Sequence, residues 1–319
     1  MIKEKFRKNL KNYLISSHNI FISFAFILVA RILHYLRYFK AKKAARSKFR
    51  HEQKRAVRVK EITTPIIFKS RILFDVTYST KCWENDWRRV LNSRFLEKNL
   101  RINNYAFSDR VVVINNISDN KEVINRAKEL VRKGILTRYY LVDDYANEAL
   151  SYFKIPKESF AGGYFYSISE LVEIYLCKTK YLLHYAGDTL LQNKTNWINE
   201  GLLAIENENA KVVDPCCDAG FSHDRAAAIR ETDKFFIGYG FSDRCYLIRT
   251  SDFKALIYNS THPASNRYPE YGGESFEKRV DSWMQNNGWM RFTHKKAYYL
   301  HFNYFKNPFD RELDEKNKQ

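Results

Sequence analysis

Glycine and proline are sparse in this chain, at 11 and 6 of 319 residues. The glycine-built motifs of several large enzyme classes are missing with them. There is no GxxxxGKS or GxxxxGKT loop, no GxGxxG after the first strand-like segment, no GxSxG elbow and no HExxH. These absences argue against a kinase, a standard NAD enzyme and a serine hydrolase. Cysteine is scarce too. Cys82, Cys177, Cys216, Cys217 and Cys245 are odd in number and lack a framework spacing, so they read as free thiols of a reducing compartment. The adjacent Cys216 and Cys217 lack the spaced CxxC pairs of a zinc site, and no metal is assigned to them. Long apolar runs are missing as well. The best, IFISFAFILVA over residues 20–30, is short of the roughly twenty residues that a bilayer span needs. Acids are nearly absent from residues 1–60, where Glu4 and Glu52 face 17 Lys and Arg.

The formal charge of +18 is therefore a property of one arm, since the remaining residues carry 37 bases and 34 acids. Bases flank the apolar run on both sides, whereas a spanning helix concentrates them on one. This symmetry favours a helix lying in the interface of an anionic membrane, with residues 40–60 as an electrostatic anchor. An amphipathic helix docked on the folded body, or a single span, is the alternative. No small-residue cleavage site follows, which argues against a secretory signal. The expected location is the cytoplasmic face of a membrane.

After Thr64–Pro65 the pattern changes to alternating strands and helices. Apolar spacing predicts strands over 71–78, 110–114, 137–142 and from 181, with helices over 83–98, 120–133, 146–153 and 167–178. Helices at 197–207 and 275–287 and strands at 211–214 and 245–248 follow. Such alternation is the mark of an α/β fold with a mostly parallel sheet flanked by helices. Ligands bind such sheets at the carboxyl ends of the strands. Polar residues gather where those ends are expected: Thr77 to Thr80, Asn115, Asn116, Ser118 and Asp119, then Asp143 and Asp144. The stretch YLLHYAGDTLL over 181–191 puts Asp188 at the end of a fourth strand. Asp188 is either a helix N-cap or a ligand to a metal or substrate. Together these residues fit a nucleotide held through a divalent cation. His184 reads as a packed core residue, and His294 as a surface or turn residue.

The order of these motifs resembles the glycosyltransferases of the GT-A fold, family 2 type, over residues 71–304. The corresponding segments are VTYST (76–80), INNISD (114–119), AGD (186–188), GGESFEKR (272–279) and His301 in YYLHF. Three positions depart from the family pattern: Ala186 replaces the first acid of Asp-x-Asp, Asn115 the base-contacting Asp, and Glu274-Ser275 the usual Glu-Asp. The resemblance implies a GT-A, Rossmann-like domain over residues 65–308, between the basic arm (1–60) and a charged tail (309–319). It implies nucleotide-sugar binding by Thr77, Tyr78, Asn115, Asn116, Asp119 and Asp188, and a Mn2+ or Mg2+ site at Asp188 and His301. Glu274 is then the expected general base, with Glu277 one helical turn on as its competitor. The implied activity is an inverting sugar transfer (EC 2.4 type) to a glycan or lipid-linked acceptor in surface polysaccharide assembly. A nucleic-acid-binding protein using the basic arm, or an inactive GT-A domain, is the rival reading; no specific nucleic acid partner is expected.

Overall fold

The computed structural model describes residues 74–208, 210–217 and 222–301. The basic arm, the boundary at Thr64–Pro65 and the charged tail lie outside them. No helix among the described residues is long and apolar enough to cross a membrane.

The expected alternation of strands and helices is present, with shifted bounds. The first strand, β1 (Val76–Cys82), begins later than the expected 71–78 and contains the whole of VTYST. Hydroxyl and aromatic residues suggested a turn there, but β-branched residues and Tyr suit a pleated strand covered on both faces. Thr77 and Tyr78 therefore lie at the amino end of β1, beside Asp109 and Arg110, and the carboxyl end falls at Cys82. The helix expected over 83–98 is two helices, α1 (Trp87–Val90) and α2 (Ser93–Ile102). Asn92 separates them because its side chain caps α2, accepting from Arg94 N–H at 2.9 Å.

Next come β2 (Asp109–Ile114), α3 (Asn120–Arg132), β3 (Arg138–Leu141), α4 (Val142–Phe153) and α5 (Tyr164–Leu176). Because α4 starts at Val142, Asp143 and Asp144 are exposed acids of its first turn, where they complement the helix dipole. The chain continues through β4 (Tyr181–Tyr185), β5 (Thr189–Leu191), α6 (Trp197–Asn207), β6 (Val212–Cys216), α7 (Ser222–Ala227), β7 (Arg230–Glu231) and β8 (Phe235–Gly238). It closes with β9 (Cys245–Arg249), α8 (Thr250–Lys254), α9 (Phe276–Asn286) and β10 (Arg291–His301). The sheet order is β3-β2-β1-β4-β9-β6-β10-β8-β7. The first four of these strands are parallel. β9 is antiparallel to both β4 and β6, while β6 and β10 are parallel.

All five residues of β4 are buried, as a central strand covered on both faces requires. Tyr181, Leu183 and Tyr185 pack with Trp197 and Leu202 of α6. Leu182 belongs to the opposite layer with Ile168 and Leu171 of α5 and Trp283 of α9. His184 is fully buried as expected, its ring stacked 4.7 Å from that of Tyr246 and its Nδ1 2.7 Å from Glu173.

His294 differs from the expectation of a surface residue. It is buried in β10, where the register shifts between His294 and Tyr298. Its Nδ1 accepts from the backbone N–H groups of Lys296 and Ala297 at 3.2 and 3.0 Å, and its Nε2 is 2.7 Å from Glu200. Burial lowers its pKa, and an imidazole accepting at Nδ1 is the neutral tautomer that donates from Nε2. Past the bulge it stabilises, β10 leaves β8, keeps Tyr298 opposite Cys216 of β6 and pairs with β5, where His301 comes opposite Thr189.

Candidate active site at the carboxyl edge of the sheet

Asp188 closes a tight turn between β4 and β5, with Thr189 N–H donating to Ala186 O at 3.0 Å. A strand follows it rather than a helix, so it caps no helix. The turn is held from β1 and α1. A Cβ on Gly187 would come within 2.6 Å of the Lys81 carbonyl and 2.7 Å of Asp86 Oδ2, and Arg89 donates to Gly187 O at 3.2 Å. Antiparallel pairing of β5 with β10 then places His301 Nε2 2.9 Å from Asp188 Oδ2. Both side chains keep solvent access, at 31% and 25% exposure.

A second acidic group lies alongside. Ala186 N–H donates to Arg244 O at 2.8 Å, which fixes the Ser242-Asp243-Arg244 loop against the same turn. Asp243 N–H donates to Glu277 Oε1 at 2.9 Å. Burial, followed by the charge of Asp243, pushes the Glu277 carboxyl up to about 8. Lys81 Nζ stands 3.6 Å from Asp243 and is ion-paired with Glu170. Burial opposes the Lys81 charge, but Glu170 and Asp243 outweigh it and raise the pKa of the ammonium. Burial likewise raises Asp86 to about 7, with the Asp188 charge adding to the effect and Trp83 N–H and Arg89 opposing it.

No family model matches the chain, and no curated protein matches it. Among solved structures it is similar to S. aureus TarS, at 14% identity and a TM-score of 0.41, over 72% of this chain and 36% of that one. The chain thus spans about a third of the length of TarS. It is also similar to glucosyl-3-phosphoglycerate synthase from Mycobacterium tuberculosis in complex with Mn2+, UDP and phosphoglyceric acid. That match has 12% identity and a TM-score of 0.40, over 77% and 75% of the two chains. Mouse xyloside xylosyltransferase 1 matches at 12% and 0.38, over 68% and 84%. Likenesses this distant leave the weight on the chain's own topology: a parallel, helix-flanked half-sheet, an antiparallel β9 beside β4, and an acidic turn at the end of β4. The fold is of the GT-A type.

On this GT-A scaffold the expected site residues separate into groups. Asp188 and His301 meet. Asn115 follows β2 at the same edge, buried, with Nδ2 donating to Phe165 O and Ser169 Oγ at 2.8 Å each. Its Oδ1 has no hydrogen-bond partner among the described residues. Asn116 is exposed and in the left-handed region at φ 49°. Asp119 caps α3 by accepting from Lys121 N–H at 3.0 Å, a structural task performed at the surface. Thr77 and Tyr78 are buried at the far end of β1, Thr77 bonded to Thr179 and Tyr78 packed between Phe107 and Tyr185.

Glu274 is one-third exposed and paired with Lys278 at 2.7 Å. The Gly272-Gly273 pair before it serves packing. At Gly273, with φ 54°, a Cβ would come within 2.5 Å of Ser159 O, so the pair seats the loop on the short helix Lys157–Gly163. Glu277 faces Asp243 instead. Lys81, Asp86, Glu170 and Asp243 were missed by sequence reasoning. The one usable signal was the pair of acids, Glu170 and Glu173, within the otherwise apolar α5.

Proposed function

We propose that this chain is a glycosyltransferase that uses a nucleotide-activated sugar and a divalent cation. The meeting of Asp188 and His301 across β5 and β10, beside the Asp243–Glu277 pair, supports this reading. One carboxylate oxygen and one imidazole nitrogen at 2.9 Å are a donor pair suited to a cation that takes its other ligands from a diphosphate and water. The cation, Mn2+ or Mg2+, would offset the charge that develops on the departing diphosphate. Asp86, against the Gly187 backbone, contributes a second acid to this turn and occupies the neighbourhood that Ala186 leaves without one.

The chain's own residues then have distinct tasks. Glu277, protonated near neutrality, donates to the Asp243 side chain and holds it in place. Lys81 Nζ, 3.6 Å away, pairs with Asp243 from the other side. Asp243 takes the proton from the acceptor hydroxyl as that oxygen attacks the sugar carbon, a single displacement with inversion. The acceptor in this reading is a glycan or lipid-linked sugar of surface polysaccharide assembly. Residues 1–60 hold the enzyme on the anionic cytoplasmic face of a membrane.

Thermal unfolding of the full chain with UDP, with and without Mn2+, tests the reading. Stabilisation by UDP should need Mn2+ and should disappear in Asp188→Asn. An unfolding temperature indifferent to UDP and Mn2+ in the wild type would exclude the proposal.

A further inference from the structure

A second group of metal-binding atoms lies one strand end away. Cys217 follows the carboxyl end of β6, and His223 and Asp224 occupy the first turn of α7. Their sulfur, imidazole nitrogen and carboxylate oxygen lie within 4.8 Å of one another. Asp224 is 5% exposed and held in position, its Oδ2 accepting from Cys217 N–H at 2.8 Å. Cys217 is half-buried and His223 is exposed, so the group opens to solvent on the histidine side.

We propose that Cys217, His223 and Asp224 form a zinc site separate from the Asp188–His301 pair. A thiolate is a poor ligand for Mg2+ or Ca2+, whereas thiolate, imidazole and carboxylate together suit Zn2+. Three protein ligands leave a fourth tetrahedral position for water or another small ligand. The spacing Cys-x5-His-Asp has no CxxC pair, and this is why the cysteines carried no metal reading in the sequence. Helix α7 returns to the end of β6 and brings the three donors together.

The site in this proposal takes an exchangeable ion. Arg291 stands 3.6 Å from Asp224 and 3.5 Å from Asp214, so the buried acids have a counter-charge without any metal. Removing the ion should leave the fold intact, unlike the loss of a structural zinc that supplies folding energy.

Cobalt titration of the full-length protein, reduced and stripped with a chelator, tests this. One equivalent of Co2+ should give a near-ultraviolet thiolate-to-cobalt charge-transfer band that Zn2+ abolishes. Cys217→Ser should remove the band, and His223→Ala should weaken Co2+ binding by more than about tenfold. Asp188→Asn should leave the band unchanged, which separates this site from the donor site. His223 is exposed, so its variant tests the site even if the serine variant folds poorly. Absence of the band in the wild type, or its survival in Cys217→Ser, would overturn the proposal.

Discussion

At the residue scale, the acids around α9 differ in what surrounds them. Glu274 is held by Lys278 in partial solvent, while Glu277 and Asp243 share a hydrogen-bonded pair beside Lys81. Asp243→Asn should lower turnover by at least about a hundredfold, the usual cost of losing a general base. Glu277→Gln keeps a neutral donor toward Asp243 and should cost less than about tenfold. Glu274→Gln should leave turnover near the wild-type value. Assaying the three variants side by side on one donor and acceptor decides among them, and a large loss confined to Glu274→Gln would restore that residue as the base. Glu277 also has a signature in stability. Its folded value of about 8 lies above the ordinary 4.5, so its contribution is complete below pH 4.5 and is lost as pH rises through about 8. The unfolding free energy should therefore fall across that window, and Glu277→Gln should flatten the fall. An unchanged pH slope in the variant would show that Glu277 is not the group responsible.

At the scale of elements, the site depends on two backbone devices. The first is the turn at Gly187, packed against the Lys81 carbonyl and Asp86. The second is the β10 bulge, whose freed N–H groups are taken up by His294. His294→Ala leaves those N–H groups without their acceptor and should cost about 1–3 kcal/mol, read as a lower urea midpoint. Because the bulge also delivers His301 to Asp188, the same variant should weaken Mn2+-dependent UDP binding. A stability loss with unchanged UDP binding would mean that β10 reaches β5 without it.

At the scale of the whole molecule, the excess charge and the folded sheet belong to different parts of the sequence. Residues 1–60 carry 17 of the 54 bases and only two acids. Each basic side chain near an anionic surface contributes about 1 kcal/mol, so removing the arm should release the protein from vesicles containing anionic lipid. Sedimentation of both forms with such vesicles checks this. Equal pelleting would move the membrane contact to the α/β body.

The sequence alone determined the α/β alternation, the buried histidine of β4 and an acid, Asp188, at the end of that strand; His301 was named beside it only through the family resemblance, and the β5–β10 pairing is what brings the two together. Period and strand ends are local properties, and an acidic turn after an apolar strand is visible without knowing its neighbours. Only tertiary structure decided that VTYST lies inside β1, that a polar break at Asn92 divides one expected helix into two, and that His294 is interior. It also decided the partners of Lys81, Glu170, Asp243 and Glu277. The burial of a charge depends on which distant strand or helix covers it, and the period of its own segment carries no record of that. Asp243 and Glu277 are joined by the packing of α9 against the start of β9, and Cys217 and Asp224 by the return of α7 to the end of β6.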